Sequence, residues 1–285
     1  MATFFNQATL SYGGNTVNSN ITEAELRAGV TVTKTAVSDY YTAGGNIVYV
    51  ITVENTGATA YNALTLTDDL GAYNLPVGDV AVPLSYVDGS LLYYLNGVLQ
   101  PTPTVTTEED LQISGVNLPA GGVATFVYEA AVNEFAPISA DSEITNTVSV
   151  RRNGEECVAT DSATVPIREQ AQLTIAKAVC PASVTCNTPL SYTIIVQNLG
   201  NAPVVATDGV VIRDVLNPAL SDLEVRLDGA LITSPGDYTY NEATGEFVTN
   251  NGLITVPAAT YTQDPETGAI TTTPGVTVLT ITGTV

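Results

Sequence analysis

The sequence has no histidine, no tryptophan, one methionine and two lysines. Without histidine it lacks the commonest general base and the commonest zinc ligand, and no cofactor or metal is expected. Basic residues are scarce: eight Lys and Arg stand against 29 Asp and Glu, for a net charge of −21. That balance excludes nucleic acid and anionic lipid as partners, because both are bound mainly by Lys and Arg. An acidic surface instead keeps a secreted protein dispersed. No run of 18 apolar residues occurs, so no membrane insertion by a helix is expected. The N-terminus shows neither a basic n-region nor an apolar h-region. The expectation is a leader already removed or a route that needs none, such as assembly on a spore inside a mother cell. Cysteine is limited to three residues. Cys180 and Cys186 bracket a proline-containing loop and are candidates for a local disulfide, which fits an extracellular setting. Cys157 is left over, as a free thiol or an inter-subunit bridge.

What the chain does contain is β-forming. Thr, Val, Tyr and Ile are plentiful, and Gly and Pro punctuate the sequence about every ten residues,. Self-similarity is the main organisational signal. Val30-Thr31-Val32-Thr33-Lys34 matches Leu173-Thr174-Ile175-Ala176-Lys177, and Tyr49-Val50-Ile51-Thr52-Val53-Glu54-Asn55-Thr56-Gly57 matches Tyr192-Thr193-Ile194-Ile195-Val196-Gln197-Asn198-Leu199-Gly200. Leu64-Thr65-Leu66-Thr67-Asp68-Asp69-Leu70 matches Val210-Val211-Ile212-Arg213-Asp214-Val215-Leu216. Strict alternation between turn signals predicts an all-β chain of two tandem immunoglobulin-like sandwiches plus an N-terminal donor strand segment. The expected boundaries are 1–21 for the donor segment, 22–28 for a linker, 29–168 for a complete sandwich, and 169–285 for a sandwich lacking its last strands. Residues 23–27 carry the only helical hint and are assigned to the linker.

These repeats resemble a bacterial and archaeal surface family, the domain of unknown function eleven. The likeness rests on the V-x-K-x-A opening, the Y-x-I-x-V-x-N-x-G strand, the T-D-x-L segment and the closing Ile144-Thr145-Asn146-Thr147 strand. It spans nearly the whole chain. It implies sandwich modules of large extracellular proteins with a structural or adhesive role, and it implies no activity.

The donor segment is read from a second similarity. Residues 4–21 resemble 144–163, which close the first repeat, and the second repeat has nothing comparable. Phe4, Asn6, Ala8, Leu10 and Tyr12 alternate in phase, as a strand filling a core would. A bare sheet edge recruits such a strand. The seven residues between the segment and the first repeat reach about 23 Å, whereas a sandwich is itself about 30 Å long. A neighbouring copy is therefore the expected acceptor, and the expected partner is the chain itself in a head-to-tail homopolymer. The expected function is a structural subunit of an extracellular filament, of pilus or spore-appendage type.

Three polar residues recur on the core face. Lys34 and Lys177, the only lysines, lie in phase with Val30, Val32 and with Leu173, Ile175. Asp68 and Asp214 occupy core phases of the acid segments, and Asn146 and Asn6 occupy matching places in the closing and donor strands. Buried charges are paired or neutralised. One reading is a Lys–Asp salt bridge capped by the Asn amide. The other is a spontaneous Lys–Asn isopeptide bond. Burial would supply a neutral amine from Lys, and a raised Asp pKa would let the acid polarise the Asn carbonyl. The pairs are Lys34–Asn146 within a chain, assisted by Asp68, and Lys177–Asn6 between chains, assisted by Asp214.

Other functions find less support. A glycosidase needs two carboxylates facing across a cleft, and no pair stands out beyond the aspartate of each repeat. An adhesin or carbohydrate-binding fragment of a longer repeat protein could stack sugars on Tyr93 and Tyr94 beside Asn96-Gly97, although these residues fit a packed hairpin better. The acidic loops at 237–246 and 264–266 do not have EF-hand spacing.

Overall fold

The computed structural model describes residues 2–26, 29–108, 110–152, 156–185 and 187–285. Among these the chain is all β, apart from a single 3-10 turn at Ala206–Asp208. It divides into two units, with the Pro137–Ser142 loop grouped with the second.

The first sandwich packs two antiparallel sheets. One has the order Val98–Gln100, Leu92–Leu95, Val123–Val132, Asn46–Asn55, Val30–Ala36; the other has Thr104–Thr106, Leu111–Leu118, Tyr61–Asp68, Glu143–Arg152, Glu156–Pro166. Alternation does the sorting. Along Asn46–Asn55, Ile47, Tyr49, Ile51 and Val53 are fully buried, and the residues between them face outward,. Asn96-Gly97 forms a two-residue hairpin turn with positive φ at both positions,. It leaves Tyr93 buried and stacked on Phe126 with centroids 4.9 Å apart.

The second sandwich repeats the first of these sheets as Leu173–Cys180, Pro189–Asn198, Gly275–Thr284, Ser221–Leu227, Ala230–Ile232. Register carries over. Lys34 pairs with Ile51, and Lys177 pairs with Ile194. The recurring Asn-x-Gly is structural in both copies. Asn55 and Asn198 are buried, and each accepts the amide two residues on (Gly57, Gly200) at 2.9 Å while its own amide group donates to loop carbonyls.

The second sheet differs. In the second unit it has three strands, Arg213–Val215, Glu246–Thr249 and Tyr238–Asn241, with no described counterpart of Glu143–Arg152 and Glu156–Pro166. The acid strand is eight residues long in the first unit, where it has a neighbour on each side, and three residues long in the second, where it has one. A strand without its partner loses the ladder that would fix its extended backbone.

The N-terminal segment is not a single strand followed by a linker. Ala2–Asn6 pairs with Thr22–Leu26, and Thr9–Tyr12 pairs with Asn15–Asn18. Residues 2–26 therefore make one long hairpin about a Gly13-Gly14 turn in which both glycines have positive φ, the geometry that matches strand twist in a two-residue loop. The expected linker at 22–28 is corrected over Thr22–Leu26. Its ladder with Ala2–Asn6 makes this stretch a strand and not a helix. Asn6 lies opposite Thr22, and Ala8 accepts the Ser19 backbone amide at its carbonyl while donating its own amide to the Ser19 hydroxyl. One extra residue on the returning leg makes a bulge there.

The expected Cys180–Cys186 disulfide involves Cys186, which lies outside the described residues. Cys157 and Cys180 are exposed.

Candidate functional site

In the first unit the predicted trio sits in one buried hydrogen-bonded chain. Lys34 comes from Val30–Ala36 in one sheet. Asp68 ends the acid strand of the other sheet, and Asn146 lies on the closing strand beside it. Lys34 Nζ donates to Asp68 Oδ2 at 2.5 Å, with both side chains excluded from solvent. Sequence reasoning missed two further members. Tyr128 donates its hydroxyl to the same Asp68 oxygen at 2.7 Å and accepts from Asn146 Nδ2 at 3.1 Å. Tyr49 lies under the ammonium, with its ring centroid 4.9 Å from Lys34 Nζ. Both tyrosines belong to inward phases that read as ordinary core aromatics.

This arrangement corrects one detail of the expected chemistry. Asp68 does not cap the Asn146 carbonyl; Tyr128 stands between acid and amide. Asn146 Oδ1 and the Tyr49 hydroxyl are the buried side-chain polar atoms without a hydrogen-bond partner among the described residues. Leaving a buried acceptor unpaired costs about 1–3 kcal/mol.

Burial pushes the Lys34 amine below its usual range, against the opposing pull of Asp68,. It pushes Tyr49 and Tyr128 upward. The sign for stability follows. Between the lowered folded pKa of Lys34 and the ordinary 10.5, the unfolded chain binds more protons, so stability rises with pH. Above the ordinary tyrosine value of 10.0 the unfolded chain loses protons that the buried tyrosines keep, and stability falls. With the Lys34 amine free, as in an Asn146→Ala chain, urea unfolding of the first unit, followed by tyrosine fluorescence, is expected to show a midpoint that climbs toward pH 10 and then declines,. Replacing Lys34 with Met should remove the climb and keep the decline.

The closing hairpin also seals the edge of the lysine strand. Asp161, on Glu156–Pro166, accepts the backbone amide of Lys34 at 2.7 Å, and Asp69 accepts the amide of Thr147 at 2.8 Å.

The second unit presents the same lysine and acid without that cover. Lys177 and Asp214 are ion-paired, with side chains 38% and 17% exposed against 0% and 1% for Lys34 and Asp68. Lys177 Nζ lies 4.3 Å from the ring centroid of Tyr192, the counterpart of Tyr49. The rest of the face is open. Leu173 and Ile175 are 39% and 64% exposed where their counterparts Val30 and Val32 are 2% and 8%. Every residue of Leu173–Cys180 is exposed. The two sites also differ chemically. Tyr128 lies across from Tyr49, but Ile281 lies across from Tyr192, so the second site has no phenol to link acid and amide.

Asn6, the amide expected for this second site, is exposed on the N-terminal hairpin. Phe4, Leu10 and Tyr12 are exposed with it, each by more than half, and Ala8 is exposed as well. The loop acids are accounted for locally. Asp237 accepts the amide of Thr233, and Asp264 accepts those of Glu266 and Thr267.

No protein-family model and no curated protein matches the chain. Among solved structures, the major pilin subunit BcpA of Bacillus cereus is 11% identical, with 95% of this chain and 73% of that one covered and a TM-score of 0.36. The collagen-binding domain of a Staphylococcus aureus adhesin is 10% identical over 50% of this chain and 99% of that one, with a TM-score of 0.30. A family 123 glycoside hydrolase from Clostridium perfringens is 12% identical over 49% of this chain and 27% of that one, with a TM-score of 0.31. At these identities and scores the likenesses concern β-sandwich architecture and carry nothing further.

Proposed function

We propose that this protein is a structural subunit of an extracellular filament, in which the N-terminal hairpin of one copy covers the open face of the second sandwich of the next. One contrast carries the reading. The lysine strand is buried under a closing hairpin in the first unit and bare in the second, and the chain holds a second hairpin of like sequence with its apolar residues in solvent. The resemblance of the repeats to the surface domain of unknown function eleven supports an external, structural role. Head-to-tail contacts of this kind extend into filaments when they do not close into rings. Negative-stain microscopy of the purified protein is expected to show filaments. A monomer at high concentration, measured by light scattering, overturns the proposal.

The filament is further locked by Lys–Asn amide bonds. In the first unit the neutral Lys34 amine attacks the Asn146 side-chain carbonyl, a new C–N bond forms as the original C–NH2 bond breaks, and the departing NH2 takes one proton from the amine and leaves as ammonia. A buried amine that prefers its neutral form, and an acid–phenol pair able to carry protons, support this step,. The equivalent bond at the joint is Lys177 to Asn6 of the next copy, with Asp214 as the assisting acid. Intact mass of the monomer is expected to fall short of the sequence mass by one ammonia, and Lys34→Ala should restore the full mass. An unmodified wild-type mass overturns the lock in the first unit. Separately, filaments boiled in detergent should remain joined, and wild-type filaments that fall to monomers show that the joint carries no such bond.

A further inference from the structure

The first sandwich contains a template for how a closing hairpin meets the acid strand. Val148 pairs with Asp68, Ser149 with Thr67, and Val150 with Leu66. The inward residues of its first leg are Ile144, Asn146, Val148 and Val150, and on its second leg Ala163 and Val165 lie opposite Asn146 and Ile144. The N-terminal hairpin has the same form. Phe4, Asn6, Ala8 and Leu10 share one face of the first leg, with Thr22 and Ala24 opposite Asn6 and Phe4.

Resting on the filament reading above, we infer that the hairpin of residues 2–26 docks as a preformed two-stranded unit in one register, with Ala8 opposite Asp214 and Thr9 opposite Arg213 of the next copy. The occupant is thus a second copy of this chain, and the acceptor is the free edge of Arg213–Val215 together with the exposed face of Leu173–Cys180. Four observations agree with this seating. Arg213–Val215 is bonded only to Glu246–Thr249, so its other edge is open. Thr9 and Arg213 are exposed and polar, matching the outward phase of Ser149 and Thr67. Ala8 is small where Val148 is small and buried, so Asp214 keeps room beside it. Ser19, bonded to Ala8, occupies the place of Asp161 and would present its hydroxyl oxygen as the acceptor for the backbone amide of Lys177. A one-residue slip would turn Phe4 and Leu10 to solvent. Thr22–Leu26 is consequently part of the plug.

The test uses full-length chains in which Cys157, Cys180 and Cys186 are replaced with Ser. One chain carries Thr9→Cys and the other Arg213→Cys; after co-assembly the filaments are oxidised and digested. Directly opposed residues lie about 5.5 Å apart at Cα, within disulfide range, and diagonal ones about 7–8 Å. The expected result is a linked peptide joining positions 9 and 213, absent when Ser11→Cys replaces Thr9→Cys. Preferential linkage of 11 to 213, or filaments with no linkage of 9 to 213, overturns the register and leaves the filament reading standing. If the same chains without cysteine substitutions form no filaments, both fall together.

Discussion

Deleting residues 2–26 should abolish filament growth and leave a folded monomer. Phe4, Leu10 and Tyr12 lie in solvent, and the hairpin's strands pair with each other, so its removal takes none of these side chains from a core. It does remove what the next copy's open face is built to receive. Phe4 and Leu10 from the plug and Leu173 and Ile175 from the face would each add about 1.5–3 kcal/mol on burial. The ladder along Arg213–Val215 adds to that, against an association cost of about 4–15 kcal/mol. Loss of the plug takes the whole favourable side away, so the expected effect is all or none. Microscopy and light scattering read it. A peptide of residues 2–26 added back should bind the truncated chain one to one and, added to the intact protein, should stop growth. Filaments that persist after the deletion would show that some other surface joins the copies. A shorter deletion of residues 1–21 should also prevent growth, because it removes every core-directed residue of the first leg.

Much of this was legible in the residues because repeats expose their own differences. The alternation in Ile47, Tyr49, Ile51 and Val53 announces a strand, and its recurrence as Leu190, Tyr192, Ile194 and Val196 announces the second sandwich with the correct register. Lys34, Asp68 and Asn146 stand out because polar residues in core phase are rare and costly. Two parts were hidden. Tyr128 and Tyr49 are aromatic residues at inward positions, and nothing in a pattern separates a packing tyrosine from one whose hydroxyl bridges an acid and an amide. Thr22–Leu26 was hidden because Thr-Glu-Ala-Glu-Leu has good helix formers and no β-branched run. Its partner Ala2–Asn6 decides its state, as cross-strand pairing often overrides a weak local preference. The difference between Tyr128 and Ile281 acquires meaning only once Tyr128 is seen holding Asn146. If the acid–phenol pair is what carries protons in the first unit, bond formation at the joint should be slower than within the chain. The filament would then assemble reversibly before it locks.

The second large effect separates the two lysines. Lys34→Ala leaves Asp68 fully buried with no countercharge, its carboxylate met only by the neutral Tyr128 hydroxyl and Leu70 backbone amide, and breaking a buried pair from one side costs about 3–5 kcal/mol. Lys177→Ala, in a chain lacking residues 2–26, removes an ion pair that water already reaches, and exposed pairs contribute about 0–1 kcal/mol. The same substitution at equivalent positions of two repeats should therefore give a large loss in one and almost none in the other. For a unit of this size each kcal/mol corresponds to about 2–8 °C in Tm, so the first variant should lose about 6 °C or more in one calorimetric transition. The transition of the second unit should stay in place. Lys34→Met combined with Asp68→Leu distinguishes electrostatics from a covalent lock. An ion pair replaced by apolar groups of similar volume is often neutral or stabilising, so the double variant should recover most of the loss if the pair alone holds the core. If an amide bond to Asn146 has been tying the two sheets together, the double variant remains well below the wild type, because no apolar packing replaces a covalent link. Seating the hairpin should then raise the sensitivity of the second unit toward that of the first, since docking places Lys177 and Asp214 in the environment that Lys34 and Asp68 already occupy.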